Sequence, residues 1–366
     1  MILDTPAVSA ALAALPQLQE LRLVDNWDRC GRYPFAAAQL PTSLTQLNLD
    51  FLGDVSKHVE HLSQLSGLVN LEHLELKCLS HYGVPGGLPP QLVKLTHLSV
   101  NYATHGDTAE QFQHLNALTA LQQLSIEFEN MLHQVLPPDD LSGIADLTQL
   151  TSLELSAWNA LCPSLNITAT WTQLTALHSL RLDQCVLQPS SLPPLTQLRS
   201  LKLEPALLSE DDTLEGFLVA VSRLTLLTQL HVGLHSADVQ REQPPPPAAA
   251  FNGLTASTHL CSLDVDLSDK EAPLFADTEL FTPGTLHPHL RRVNLDGIAP
   301  SEQQLQRLCS CCPALESLAY VKIASVAATA CLPLLKLSAL THLQCRCYVW
   351  VNQQRQQQGC LTPQHS

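Results

Sequence analysis

One pattern constrains what this chain can fold into more than any other feature. A leucine, two residues, a second leucine, one residue and a further apolar residue recur along almost the whole sequence. The first leucines are Leu18, Leu44, Leu71, Leu95, Leu121, Leu150, Leu177, Leu198, Leu227, Leu260, Leu290, Leu315 and Leu340. The first position is Leu in all 13 copies. The fourth is Leu in 12, with Val293 as the exception, and the sixth is Leu, Val or Ile in 11, with Tyr320 and Cys345 as the exceptions. Neighbouring copies lie 21 to 33 residues apart, about 27 on average.

The spacing dictates local structure. Side chains alternate along a strand, so the fourth and sixth positions share one face, and the third, fifth and seventh share the other. Nine copies carry another leucine three residues upstream: Leu15, Leu68, Leu92, Leu118, Leu147, Leu174, Leu195, Leu224 and Leu337. That spacing belongs to a helix or a 3₁₀ turn. Each repeat therefore reads as a short strand, a loop, and a helix or turn that leads into the next strand. Burying about four leucines does not offset the entropy of ordering a repeat of about 27 residues. Neighbours must stack to share their apolar faces, which predicts a solenoid. Thirteen parallel strands spaced about 4.8 Å apart give a sheet about 58 Å long.

Composition narrows the setting. The chain has 366 residues, 74 of them leucine, and a formal net charge of -15 from 19 Lys+Arg against 34 Asp+Glu. That balance argues against nucleic acid and anionic membranes as partners. No apolar run reaches the ~18 residues of a membrane span. Residues Met1 to Leu15 lack a basic leader, and Asp4 and Pro6 interrupt any apolar core. The expected setting is cytoplasmic, with the 12 cysteines reduced and mostly packed as small hydrophobes.

With stretches such as "LTQLTSLELS" and "LTALHSLRLDQC", the chain resembles the leucine-rich-repeat family, in its cytosolic LxxLxxLxL form, over about residues 12 to 350. Gln304 to Tyr320 resembles the cysteine-containing type found in F-box substrate receptors. The resemblance implies an α/β fold: a right-handed horseshoe solenoid with about 13 short parallel strands on the concave face and short helices or turns on the convex face. The family usually places Asn or Cys at the ninth position to bond backbone groups of neighbouring turns, and here only Asn26 and Cys185 do so. Most loops must satisfy their backbone by other means.

The expected organisation is one solenoid over residues 1–351 and a disordered Gln-rich tail over 352–366. Long surface loops are expected near 131–140, 235–258 (with Pro244 to Pro247) and 268–288. The last strand, "LQCRCYVWV", is apolar and reads as an exposed pairing edge, which suggests a covering element or a larger assembly.

Chemical motifs are sparse. No glycine-rich phosphate loop and no GxSxG nucleophile turn occur. His58 and His61 flank Glu60 without the HExxH spacing of a zinc site, and they read as solvated side chains, as do His287 and His289. Cys309, Cys312, Cys345 and Cys347 could supply four zinc ligands, but they occupy places where other repeats put packing residues, so core packing is preferred. No cofactor is expected. His73, His97, His231, His235 and His342 fall at or near outward strand positions, and the sequence assigns no carboxylate to any of them.

The outward positions form a mixed, mildly acidic surface with ten acidic and six basic residues. Two patches are candidate partner-binding sites. Glu127, Phe128, Glu129 and Glu154 lie on adjacent strands with Trp158 close by, an aromatic rimmed by carboxylates that suits a basic segment. Asp264, Asp266 and Asp296 form the second patch, beside Asp269. An ordinary solvated face is the bland reading of both. The function expected from the family resemblance and the missing catalytic constellation is a non-enzymatic scaffold that binds a protein on its concave face. The resemblance leaves open a substrate-recognition subunit of a ubiquitin ligase and a cytoskeletal or ciliary-axoneme component. The 17 residues before the first motif are too few for an F-box module.

Overall fold

A computed structural model of the chain describes residues 11–25, 40–51, 62–78, 88–103, 115–129, 142–158, 171, 173–208, 213–234, 248–266, 279–296, 300–323 and 334–348. Each motif copy begins a strand: β1 (Glu20–Asp25), β2 (Gln46–Phe51), β3 (His73–Cys78), β4 (His97–Ala103), β5 (Gln123–Glu129), β6 (Ser152–Trp158) and β7 (Ser179–Asp183). After the two-residue β8 (Val186–Leu187) come β9 (Ser200–Leu208), β10 (Gln229–Leu234), β11 (Ser262–Asp266), β12 (Arg292–Asp296), β13 (Ser317–Ile323) and β14 (His342–Tyr348). Thirteen of them pair side by side in chain order, and β8 joins β9 off that path. Every pairing is parallel.

The register is in phase with the motif. Leu124 of β5 faces Leu153 of β6, which faces Leu180 of β7, and Ile126, Leu155 and Leu182 form the parallel row. These rows are buried, as are the first-position leucines from Leu44 to Leu315. The core is thus a set of leucine columns running along the solenoid axis. In the inner strands each side chain is flanked by the same position of the repeats before and after it.

The turns that precede the strands are mostly 3₁₀ (Leu62–Gly67, Leu115–Ala117, Ser142–Asp146, Pro189–Ser191 and Ala248–Thr255). Two are α-helices, α1 (Leu214–Ser222) and α2 (Glu302–Cys311). Thr213 caps α1 by accepting from the Gly216 N–H, and Ser301 caps α2 from Gln304. Leu305, Leu308 and Cys311 bury the inner side of α2.

Two of the expected surface loops are partly core. Residues 248–255 form a 3₁₀ helix that buries Phe251 and Leu254, and Gly253 packs so close to α1 that a Cβ there would collide with the Leu218 carbonyl. Leu280, Phe281 and His287, at the end of the 268–288 stretch, are also buried. The prolines and charges that marked these stretches as loops lie N-terminal to the apolar residues that anchor them. The 131–140 stretch and the 352–366 tail lie outside the described residues.

Threonine adds side-chain hydrogen bonds at the strand entries, to carbonyls that also accept backbone N–H groups of the next repeat. Thr45, Thr96, Thr151, Thr228 and Thr341 each directly follow a first-position leucine. Their hydroxyls donate to the carbonyls of Gln19, Glu72, Gln122, Arg199 and Glu316, the matching residue one repeat earlier. Ser257 does similar work, donating to the Thr225 and Leu227 carbonyls. Cys185 fills the ninth-position role, its thiol reaching the Leu155 carbonyl at 3.6 Å and the Asp183 carbonyl at 3.2 Å. Asn26 lies outside the described residues.

Among the described residues the sheet ends at β14, where Leu343 holds the fourth motif position yet is 52% exposed. The same position is fully buried in Leu153 of β6. No helix among the described residues is long and apolar enough to cross a membrane.

Candidate functional site

Strand alternation that buries the fourth and sixth positions turns the third, fifth and seventh outward. Parallel in-phase pairing then aligns equal positions into rows across the sheet. The fifth-position row runs Ser125, Glu154, Arg181, Lys202, His231, Asp264, Asn294. The seventh-position row beside it includes Glu127, Ser156, Asp183 and Glu204, and farther on Gly233, Asp266 and Asp296.

A chain of charge contacts links β6 to β12 through these rows. Arg181 lies 2.9 Å from Glu154 and 3.3 Å from Glu204. Lys202 reaches the same Glu204 at 2.8 Å. His231 sits between two carboxylates, with Nε2 3.2 Å from Glu204 Oε1 and Nδ1 2.8 Å from Asp264 Oδ2. Asn294 donates to Asp264 at 2.8 Å. Burial raises the Glu204 carboxyl, but the Lys202 hydrogen bond and the charges of Lys202, His231 and Arg181 outweigh it and hold the group below the usual glutamate value. Asp264 is likewise raised by burial, then brought below its ordinary value by His231 and Asn294. Asp183 differs: burial raises it, its Ser156 hydrogen bond only partly compensates, and Glu204 adds repulsion.

The N-terminal part of the face has its own contacts. Asn48 donates to Glu75, which also pairs with Lys77 at 2.8 Å. His73 and His97 stack at 5.2 Å. Burial and the neighbouring His73 lower the His97 pKa.

The candidate patches fare differently. Glu127 faces outward, half-buried, and accepts from Asn101 at 3.2 Å. Glu154 is outward and held by Arg181. Phe128 is a correction: it is fully buried and belongs to the core, not to the partner-facing surface. It is the eighth position of its repeat, in phase with Leu124 and Ile126, so alternation sends it inward. Glu129 and Trp158 are opposite one another in the β5–β6 register, and their side chains lie outside what is described. Asp264 joins the charge chain, while Asp266 and Asp296 are register partners on β11 and β12. Asp269 lies outside the described residues.

Sequence reasoning missed the centre of this surface. It counted the outward charges without pairing them and left His231 without a carboxylate. The signal was present: Lys202, His231 and Asp264 hold the same motif position in three successive repeats, and Glu204 lies two residues beyond Lys202.

Cys312 and Cys311 are buried and Cys309 is partly so, and burial pushes the Cys312 thiol well above its ordinary value. This fits packing. Among the described residues no three His, Cys, Asp or Glu side chains converge as metal ligands. The side chains of Cys345 and Cys347, and the residues His58 and His61, lie outside the described set. His287, expected in a solvated loop, is fully buried, with Phe281 edge-on at 5.9 Å. Burial lowers its pKa, opposed only by the Ser257 backbone.

No family model matches the chain, and no curated protein matches it. Solved structures do. An internalin from Listeria monocytogenes is 16% identical, with 92% of this chain and 83% of that one covered and a TM-score of 0.46. The functional domain of InlJ from the same organism, which includes a cysteine ladder, gives 16% identity, coverage of 93% and 73%, and a TM-score of 0.47. A TDR receptor gives 16% identity, coverage of 93% and 57%, and a TM-score of 0.45. Its own thirteen in-phase strands and buried leucine columns give the chain the fold of a leucine-rich-repeat solenoid.

Proposed function

We propose that the protein is a non-enzymatic interaction scaffold that engages a protein partner through its concave sheet face. The observation that carries this reading is the outward rows themselves. Thirteen in-phase strands present one continuous polar surface on which carboxylates outnumber cations. Such a surface has the reach to contact an extended or folded partner at many points. Its charge suits a partner with a basic segment, seated near Glu127 and Glu154 or near Asp264, Asp266 and Asp296. Nucleic acid is disfavoured by the same charge.

The test is affinity capture with quantitative mass spectrometry. Glu127→Lys with Trp158→Ala should deplete the specific partner at least about tenfold, the scale of one interface hot spot. Glu215→Lys on α1, away from the sheet face, should leave capture unchanged. Equal capture by wild type and the double variant would sink the reading.

A further inference from the structure

His231 makes two contacts that a neutral imidazole cannot both satisfy. Its Nδ1 is 2.8 Å from Asp264 and its Nε2 is 3.2 Å from Glu204. Neutral imidazole has one N–H donor and one lone pair, whereas imidazolium has two donors. Only the protonated ring donates to both carboxylates, and the neutral ring must turn a lone pair toward one of them.

The ring bridges three strands, and its surroundings give it leverage over the face. On β9 it meets Glu204 and, at the matching position, Lys202, whose ammonium is already engaged by Glu204 at 2.8 Å. On β11 it meets Asp264, with Asp266 one step along the same face. At the next position of its own strand stands Gly233, which has no side chain to intervene. Glu204 is also held by Arg181 of β7 at 3.3 Å, whereas His231 is the cation that contacts both Glu204 and Asp264. Loss of its proton removes the charge that bridges these two carboxylates. Histidine is the side chain whose charge ordinarily changes between about pH 5 and pH 8.

We propose that His231 is a proton-controlled gate on the concave face: as imidazolium it occupies Glu204 and Asp264 itself, and as neutral imidazole it releases them to a lysine or arginine of the partner. The gate rests on the concave-face reading proposed above and adds its regulation. The guest cation replaces the ring's charge between carboxylates that lie 3.2 Å and 2.8 Å from its two nitrogens, on strands two apart in the sheet. Docking of a basic segment therefore tightens as pH rises through the histidine range.

The probe is a fluorescein-labelled hexa-arginine peptide, titrated against the full chain by fluorescence anisotropy at low salt, at about pH 5.5 and about pH 8. Wild type should bind about fivefold tighter at the higher pH, the scale of one partly exposed charge pair. Much of the surface charge also shifts with the other histidines, so the comparison with His231→Gln decides. That variant cannot titrate at this site, and its affinity should lose the His231 share of the pH ratio and match high-pH wild type more closely at both values. His231→Lys should bind weakly at both. Circular dichroism melts of each variant exclude loss of the fold. The same pH ratio in wild type and His231→Gln would overturn the gate while leaving the concave-face reading standing. Peptide binding that is undiminished by Glu204→Gln with Asp264→Asn would overturn both the gate and the basic-segment docking at this place. Absence of binding at either pH would do the same.

Discussion

Leu153 and Leu343 occupy the same fourth position of the motif, so sequence alone assigns them equal weight. The structure does not. Leu153 is fully buried, with Leu124 and Leu180 on its two flanks, whereas Leu343 is 52% exposed on the last described strand. Replacing a buried leucine by alanine removes its transfer energy and leaves a cavity, at a cost of about 2–5 kcal/mol. Fully burying a leucine contributes about 1.5–3 kcal/mol, so a half-exposed one that leaves no enclosed cavity should cost roughly 1 kcal/mol or less. The pair Leu153→Ala and Leu343→Ala should therefore differ by about 1–4 kcal/mol. Urea titrations followed by far-ultraviolet circular dichroism give the midpoint shifts. Repeat arrays need not unfold in one step, so amide exchange at β6 and β14 should accompany them. Leu153→Ala should lower protection in β5, β6 and β7 together, while Leu343→Ala should act only near β14. Equal costs would refute the reasoning and show that another surface covers the β14 edge.

Three further outcomes follow from particular contacts. Phe128→Ala should cost about 3–5 kcal/mol of stability, seen as a lowered urea midpoint, because the ring is a core residue and not a contact for a partner. Gly253→Ala should destabilise by about 1–3 kcal/mol and deprotect α1 and residues 248–255 first in amide exchange, because the added methyl meets the Leu218 carbonyl rather than a movable side chain. His287 has a folded-state pKa below that of an unfolded histidine, so the unfolded chain binds more protons between those two values. Stability should hold above the ordinary histidine range and fall as pH drops through that window. His287→Leu should flatten this slope in urea midpoints measured from about pH 7.5 to about pH 5, and an unchanged slope would show that other groups cause it.

The strand positions were legible because the motif has two periods at once. Period two set the face of each side chain, and the repeat length set the stacking. The same logic placed Glu127, Glu154, Asp264, Asp266 and Asp296 outward. It also contained the answer for Phe128, which sits in phase with Ile126; its aromatic character, weighed without its register, sent it to the wrong face. The threonine ladder was visible too, as a hydroxyl after the first leucine in five repeats, but nothing local says that its acceptor lies a full repeat earlier.

What the sequence determined by itself is the architecture: thirteen leucine-led strands that cannot be stable singly must stack, and the spacing shared within every motif lets them stack in phase. What only the tertiary structure decided is which of the equal repeats are unequal. Leu343 lacks the cover that Leu153 has, Gly253 lies close against α1, and His231 comes between Glu204 and Asp264. Each of these depends on what stands one repeat away, some 25 to 33 residues distant in the chain. Burial and pairing are properties of that neighbour as much as of the residue itself, so a pattern read along one strand cannot supply them.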